Sequence, residues 1–257
     1  DFYGGGLYVY SDSVYIADTV IADNRTGSAG AGLASHYETI DVVNCTFSGN
    51  AFINRGYASY NGAAIYLGPG INARITGTTF DGNVGDGTST FDAKYGGAIY
   101  LNNGSTDLLV SDSIIKNHNA IYGGAIYTGD GNIHLEKTHI DGNSAEYGGG
   151  IYLNNGSQAT ITDSLFTGNQ VSRLGGAIYL SPSVIAMNMS NSTLSGNSAT
   201  GTGGAIFVNG STTYAHITSS TITNNTASNV GGVYRGLGTI RLDNTIVADN
   251  ISTSNAY

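Results

Sequence analysis

The 257-residue sequence lacks tryptophan and contains one cysteine, two prolines and only 11% charged residues. The single cysteine, Cys45, permits no internal disulfide. Acidic residues outnumber basic ones by 18 to 9, and no basic run occurs, so nucleic acid and anionic membrane surfaces are poor candidate partners. No stretch approaches the roughly 20 apolar residues needed to cross a bilayer, so direct membrane insertion is not expected.

Glycine, by contrast, is abundant, with 39 residues, and hydrophobic residues make up 40% of the chain. This hydrophobic content is enough to build a core and is not typical of a disordered chain. Scarce proline combined with plentiful Gly, Asn, Ser and Thr predicts many short strands joined by tight turns.

A repeated segment organises the sequence. The string GGAIY occurs at 96–100, 123–127 and 175–179. Close variants begin at Gly4, Gly30, Gly62, Gly148, Gly203 and Val230. Each copy is followed 20 to 22 residues later by one member of a second column, here named the turn column: Asn24, Asn50, Asn83, His118, Asn143, Asn169, Asn197, Asn225 and Asn250. The sequence therefore contains nine repeats with a period of about 28 residues.

Length variation is confined to one part of the repeat. The distance from the glycine motif to the turn column is almost constant, whereas two long insertions, 51–61 and 84–95, follow the turn column. This pattern predicts coils of fixed size that carry one variable loop.

Columns within the repeat predict its inner and outer faces. The positions ten, eight and three residues before the turn column are apolar in every repeat, and polar residues separate the first two, which is the alternation of a strand with one buried face. The position five residues before it is always small, including Cys45, and is expected to point inward at a bend. The position immediately before it holds only Gly, Asn or Asp, which predicts a left-handed corner. Each turn-column Asn is expected to bond the backbone and to stack on its neighbours.

The glycine motif predicts another strand. Its fourth position, for example Ile99, Ile126 and Ile178, is expected to face the core. By alternation, its third position (Gly or Ala) and its fifth (mostly Tyr) are expected to face outward.

These columns predict an all-β fold, a right-handed single-stranded parallel β-helix of nine coils, because parallel crossovers are almost always right-handed. A leucine-rich-repeat solenoid is rejected, since no helical period occurs. We expect residues 1–257 to form one domain, either an excerpt of a longer helix or a subunit that associates head to tail in a filament.

The pairing of GGA[IL] with F-x-x-N, as in GGAI at 175–178 and FTGN at 166–169, resembles the repeats of polymorphic outer-membrane proteins. Those proteins are bacterial autotransporter-type adhesins with β-helical passenger domains. The resemblance covers nearly the whole chain and implies an extracellular, cell-surface location and an adhesin-like role.

The outward aromatic column is the candidate binding site, since exposed aromatic patches mark contact surfaces for carbohydrate or protein ligands. Its members are Tyr66, Tyr100, Tyr127, Tyr152, Tyr179, Phe207 and Tyr234, with Tyr8 beyond a break at Ala34. Two other interpretations remain open. The rings could simply stabilise the sheet by stacking, or loops 51–61 and 84–95 could bury them.

An enzyme is the alternative class. Charged residues cluster in repeats four to six, namely Asp112, Lys116, His134, Glu136, Lys137, His139, Asp141 and Asp163. Glu136 and Asp141 could form the acid–base pair of a polysaccharide lyase or hydrolase, although a bend separates them. No metal or other cofactor is expected, and His118 is interpreted as a structural replacement for Asn. The sequence therefore favours a non-enzymatic surface module.

Overall fold

The computed structural model describes residues 4–10, 13–36, 39–53, 60–85, 94–104, 106–154, 156–211 and 213–254. Within these ranges the secondary structure consists of 35 short strands, numbered β1 to β35 in chain order, and turns. Every strand pairing is parallel and joins one coil to the next, so the chain winds as a parallel β-helix.

Three nine-stranded sheets form three sides of this helix. The first sheet contains the glycine-motif strands: β1 (Leu7–Val9), β5 (Leu33–Ser35), β9 (Ile65–Leu67), β13 (Ile99–Leu101), β16 (Ile126–Thr128), β20 (Ile151–Leu153), β24 (Ile178–Leu180), β28 (Ile206–Val208) and β32 (Val233–Arg235). The second contains β2 (Ser13–Ala17), β6 (Thr39–Val43), β10 (Asn72–Thr76), β14 (Asp107–Ser111), β17 (Asn132–Glu136), β21 (Gln158–Thr162), β25 (Ala186–Ser190), β29 (Tyr214–Thr218) and β33 (Thr239–Asp243). The third contains β3 (Val20–Ala22), β7 (Thr46–Ser48), β11 (Thr79–Asp81), β15 (Ile114–Lys116), β18 (His139–Asp141), β22 (Leu165–Thr167), β26 (Thr193–Ser195), β30 (Thr221–Thr223) and β34 (Ile246–Ala248).

The fourth side of the helix, which follows the turn column, is divided between two sheets. The smaller contains β4 (Arg25–Thr26), β8 (Ala51–Phe52) and β12 (Val84–Gly85). The larger contains β19 (Ser144–Tyr147), β23 (Gln170–Leu174), β27 (Ser198–Ala199), β31 (Thr226–Ala227) and β35 (Ile251–Ser252). The two insertions leave the coil on this side, and their residues 54–59 and 86–93 lie outside the described ranges.

The predicted count of nine coils and the predicted core are confirmed. Like residues pair with like across neighbouring coils, as Ile99 pairs with Ile126 and Phe47 with Phe80. Ile99, Ile126 and Ile178 are completely buried, and the rings of Phe47 and Phe80 stack with centroids 5.1 Å apart. One continuous apolar core therefore fills the coils.

One prediction about the inside of the coil is wrong. The third position of the glycine motif faces the core: Ala64, Ala98, Ala125 and Ala177 are fully buried members of the core cluster. The regular strand begins only at the fourth position, and the first glycine of the motif has a positive φ, 61° at Gly96. The chain is therefore still rounding a corner at the third position, where strand alternation does not apply.

The predicted left-handed corner is confirmed in all nine coils, with φ between 54° and 67° at the position before the turn column. The bend predicted at the small position before the turn column is also present, and it is a second left-handed corner, five residues before the first, whose conformation was not predicted. Its residues have φ between 46° and 61° and are Asp18, Asn44, Gly77, Asp112, Lys137, Asp163, Asn191, Ser219 and Asn244. The small residue that follows each of them packs inward, as predicted for Cys45, which is 2% exposed.

The turn-column side chains form a ladder along the helix, as predicted. The Oδ1 of Asn169 accepts hydrogen bonds from the backbone amide and the side-chain Nδ2 of Asn143, at 3.1 and 3.0 Å. The Nδ2 of Asn169 donates in turn to Asn197 and to the carbonyl oxygen of Ile140. Each buried Asn thus satisfies polar groups of the coils on both sides of it.

Candidate functional site

The predicted aromatic column lies on the outer side of the first sheet. Its rings stack nearly parallel: Tyr100 on Tyr127 at 5.4 Å and 10°, Tyr152 on Tyr179 at 4.8 Å and 12°, and Tyr179 on Phe207 at 5.3 Å and 1°. The stack runs without interruption from Tyr66 to Tyr234. Parallel strands in register produce this arrangement because they place the same position of each coil directly over its neighbour.

The break at Ala34 is filled from another position. His36, two residues further along, places its imidazole 5.6 Å from the ring of Tyr8 and 5.3 Å from that of Tyr66. Burial lowers the pKa of His36, which favours the neutral ring in this position. The aromatic stack therefore extends to the first coil.

A second aromatic column, which the sequence interpretation missed, runs beside the first. It consists of Tyr95, Tyr122 and Tyr147, stacked at 5.3 and 5.5 Å. Tyr122 contacts Tyr152 edge to face at 5.3 Å, and Tyr147 contacts Tyr179 in the same way at 5.5 Å. The signal available in the sequence was a Tyr directly before the glycine pair in three consecutive repeats, KYGG, IYGG and EYGG.

The rings of the first column do not form the exposed aromatic patch that was predicted. Tyr66, Tyr127, Tyr179 and Phe207 are only 5%, 7%, 6% and 6% exposed. Stacking covers both faces of each inner ring, and the second column covers one side. The interpretation that loops bury the column applies at Tyr95, the last residue of loop 84–95, whose ring lies 4.6 Å from that of Tyr127.

Several phenol groups of the first column are hydrogen-bonded to turn residues. Asn102 Nδ2 donates to the Tyr66 hydroxyl at 2.8 Å, and Asn209 Nδ2 donates to the Tyr179 hydroxyl at 3.1 Å. Burial raises the pKa of Tyr127 and of Tyr152 far above the usual value for a phenol, and the neighbouring phenols add to the effect. These side chains are neutral over the physiological pH range.

Charged residues border the second column. The Arg173 guanidinium lies 5.6 Å from the centroid of the Tyr147 ring and pairs with Glu146 at 2.9 Å. At the other end, Lys94 Nζ lies 5.1 Å from the centroid of Tyr95. The half-buried rings of Tyr122 and Tyr147, together with Arg173 and Glu146, form the accessible part of this site, here named the aromatic surface.

The candidate catalytic carboxylates are positioned differently. Glu136 ends a strand of the second sheet and pairs with Lys137 at 3.4 Å, whereas Asp141 ends a strand of the third sheet and accepts a hydrogen bond from Thr167. A left-handed corner at Lys137 separates the two sheets. The structure therefore holds each carboxylate in a separate polar cluster.

The remaining charged residues of that group are spread over several positions. Lys116 pairs with Asp81 at 3.2 Å on the third sheet, and His134 lies on the outer face of the second sheet. Asp112 and Asp163 share the corner column of Lys137. In the described part of the chain, no group of three or more His, Cys, Asp or Glu side chains could hold a metal ion. No helix in these ranges is long and apolar enough to cross a membrane.

Stacked parallel coils with one continuous core define a single-stranded β-solenoid. The sequence model for a right-handed β-helix region matches residues 59–222, and the chain belongs to this family. The match also confirms the predicted handedness. No curated protein and no solved structure matches the sequence. The family contains both enzymes and proteins without catalytic activity, so membership alone does not define the function.

Proposed function

We propose that the chain is an extracellular, adhesin-like surface module that acts as a rigid rod and binds a carbohydrate or protein ligand on its aromatic surface. The observation that carries this proposal is the contact between two stacked tyrosine columns on one side of the rod. Stabilisation of the sheet by stacked rings requires only the first column. The second column adds half-buried rings that reach solvent.

The ladders that run along the axis support the role of a rigid spacer. Backbone pairing joins every coil to the next on three sides, and the turn column and the first aromatic column add side-chain ladders to it. Repeat proteins of this kind present extended surfaces whose geometry is fixed by the stacking of their units.

The chemistry of the aromatic surface supports the expected ligand class. Ring faces within each column are already stacked, so ring edges and phenol oxygens are the groups that meet solvent. Ring edges carry partial positive charge and favour oxygen acceptors, which sugars and protein backbones both supply. Arg173 and Glu146 add one donor group and one acceptor group at the end of the second column.

Binding to immobilised neutral and acidic polysaccharides and to extracellular matrix proteins, measured by surface plasmon resonance, tests this proposal. We expect the wild-type chain to bind at least one of them and the double variant Tyr122→Ala/Tyr147→Ala to bind it at least about tenfold more weakly. Tyr214→Ala is the matched control, since this exposed tyrosine lies on the second sheet. Equal losses in both variants, or no binding by the wild type, would contradict the proposal.

The proposal includes no catalysis, and the separation of Glu136 from Asp141 by a corner supports this choice. Incubation of the wild-type chain with the same polysaccharides should release no new reducing ends and no unsaturated products. Turnover that disappears in Glu136→Gln or Asp141→Asn would instead establish the enzyme alternative.

A further inference from the structure

The fourth side of the rod has a discontinuity between coils three and four. The smaller sheet ends at β12, and the larger one begins only at β19 in coil five. In coil four the equivalent residues form isolated bridges: Tyr122 with Tyr95 of coil three, through hydrogen bonds of Tyr122 N to the Lys94 carbonyl and of Gly96 N to the Tyr122 carbonyl, and Asn119 with Ser144 of coil five. This side therefore lacks regular pairing where the other three sides are continuous.

A specific backbone hydrogen bond is also absent there. At seven junctions between coils, the amide after the turn column donates to the turn-column carbonyl of the preceding coil: Ala51 to Asn24, Val84 to Asn50, Ser144 to His118, Gln170 to Asn143, Ser198 to Asn169, Thr226 to Asn197, and Ile251 to Asn225. Among the described residues, no such bond joins Asn119 to Asn83. The imidazole of His118 lies at that carbonyl instead, with Nδ1 3.1 Å from the oxygen of Asn83.

The ladder of turn-column side chains also changes at His118. Nδ1 of His118 lies 3.1 Å from the amide nitrogen of Asn83 as well, while Nε2 is buried and has no hydrogen-bond partner in the described structure. An Asn side chain offers an acceptor and two donors at one point, whereas a neutral imidazole offers one of each on opposite sides of the ring. Either tautomer therefore leaves one ring nitrogen unpaired in the core.

We propose that the junction between coils three and four is an acid-labile seam, at which protonation of His118 opens the fourth side while the other three sheets hold the rod together. The protonated ring carries donors on both nitrogens, so Nδ1 can no longer accept from the Asn83 amide. The buried ring then also carries a positive charge, which the carbonyl oxygens of Asn83 and Phe80 stabilise only in part. Opening of this side is the local response, because no sheet crosses the junction there and, among the described residues, the Tyr95–Tyr122 bridge is its one backbone pairing.

The groups around His118 favour a neutral ring while the junction is closed. Burial lowers the pKa of His118 to about 4, against an ordinary value of 6.5, and the carbonyls of Asn83 and Phe80 oppose the shift only in part. Asp81 on β11 favours the charged ring, but it is already paired with Lys116 of β15. The neighbours of His118 in the ladder, Asn83 and Asn143, are neutral.

The direction of the pH effect follows from these values. The closed seam holds a neutral ring, and the opened seam allows the ring its ordinary pKa of 6.5. Opening therefore becomes easier as the pH falls below about 6.5, by about tenfold per pH unit, until the closed form also protonates near pH 4.

Hydrogen exchange monitored by mass spectrometry at pH 6.5 and 4.5, corrected for intrinsic exchange rates, tests the seam. In the wild type, protection of peptides that cover 80–85 and 117–122 should fall by about 40-fold between pH 6.5 and 4.5, while peptides of coils six to eight keep their protection. In His118→Asn, which restores the ladder residue, the fall should be no more than a few-fold. Equal losses in the two proteins would overturn the proposal.

Asn197→His is the matched control, because it places an imidazole in the same column where the fourth-side sheet is continuous. We expect acid to lower the overall stability of this variant without selective exchange at its own junction. Selective opening there would show that the histidine alone suffices and would overturn the role given to the discontinuity.

Discussion

The side-chain amide of Asn169 donates to Oδ1 of Asn197 at 2.9 Å inside the rod, and the same oxygen accepts from the backbone amide of Asn169 at 3.0 Å. Both side chains are fully buried. One oxygen thus satisfies two donors that have no access to water, and this arrangement recurs along most of the helix. The turn column is therefore a structural requirement of the corner it occupies.

Replacement of one member of this column should be strongly destabilising. Asn197→Ala removes the acceptor of both Asn169 donors and the donor to the carbonyl of Phe166. Buried groups left unpaired cost about 1–3 kcal/mol each, so we expect a loss of roughly 3–5 kcal/mol in the free energy of unfolding, measured by urea denaturation. Asn188→Ala, on an exposed outer position, is the control and should change it by less than about 0.5 kcal/mol. A loss below about 1 kcal/mol for Asn197→Ala would contradict the ladder's role.

Removal of a ring from the middle of the aromatic stack should cost more than removal of a ring at its end. Tyr152 stacks between Tyr127 and Tyr179, at 5.3 and 4.8 Å, whereas Tyr234 stacks on Phe207 alone, at 4.9 Å. We expect Tyr152→Ala to lower the free energy of unfolding by about 3 kcal/mol and Tyr234→Ala by about 1 kcal/mol. Denaturant titrations of the two variants provide the measurement, and equal costs would rule out an energetic role for stacking.

Alkaline pH should destabilise the rod through the same rings. The folded state raises the pKa of Tyr152 above its ordinary value of 10.0, mainly by burial, so the folded chain favours the neutral phenol and the unfolded chain ionises first. Stability is therefore retained below pH 10 and lost as the pH rises above it. Unfolding curves between pH 8 and 11 should show a shallower alkaline decline in Tyr152→Phe. An unchanged slope would indicate that this phenol is not held neutral by the fold.

The second left-handed corner offers a stabilising substitution. Lys137 has a φ of 46°, although most coils have Asp, Asn or Gly at this position. A left-handed conformation costs an ordinary side chain about 1–2 kcal/mol, and Asn reduces this cost. Lys137→Asn should therefore raise the free energy of unfolding by about 0.5–1 kcal/mol, since its exposed pair with Glu136 contributes little. Ser219→Asn should act in the same direction, and a decrease in both variants would refute the explanation.

The coils could be predicted from the sequence because each core position holds the same type of residue in repeat after repeat. Apolar residues such as Phe47 and Ile99 repeat at fixed positions, and the Gly, Asn or Asp before the turn column identifies one left-handed corner. At the second corner the bend was predicted but its left-handed conformation was not, because Lys137 and Ser219 occupy it against their conformational preference. The inward third position remained hidden because alternation applies within strands and not around a bend.

The candidate site was predicted only in part. The first aromatic column could be predicted because its rings recur at the same position of almost every repeat. How deeply these rings are buried could not, because it depends on side chains from other columns. The second column ends at Tyr147, because the next coil has Leu174 at the equivalent position. Its tyrosines therefore do not recur in every repeat. His36 enters the stack from a different position of the repeat and could be placed only in three dimensions.

Because the described strands of each coil pair only with those of the coil before it and the coil after it, the protein is a row of nine similar units with nearest-neighbour coupling. Changes made in distant coils should contribute independently to its stability. The length of such a molecule can also change by whole repeats, without any adjustment of the units that remain.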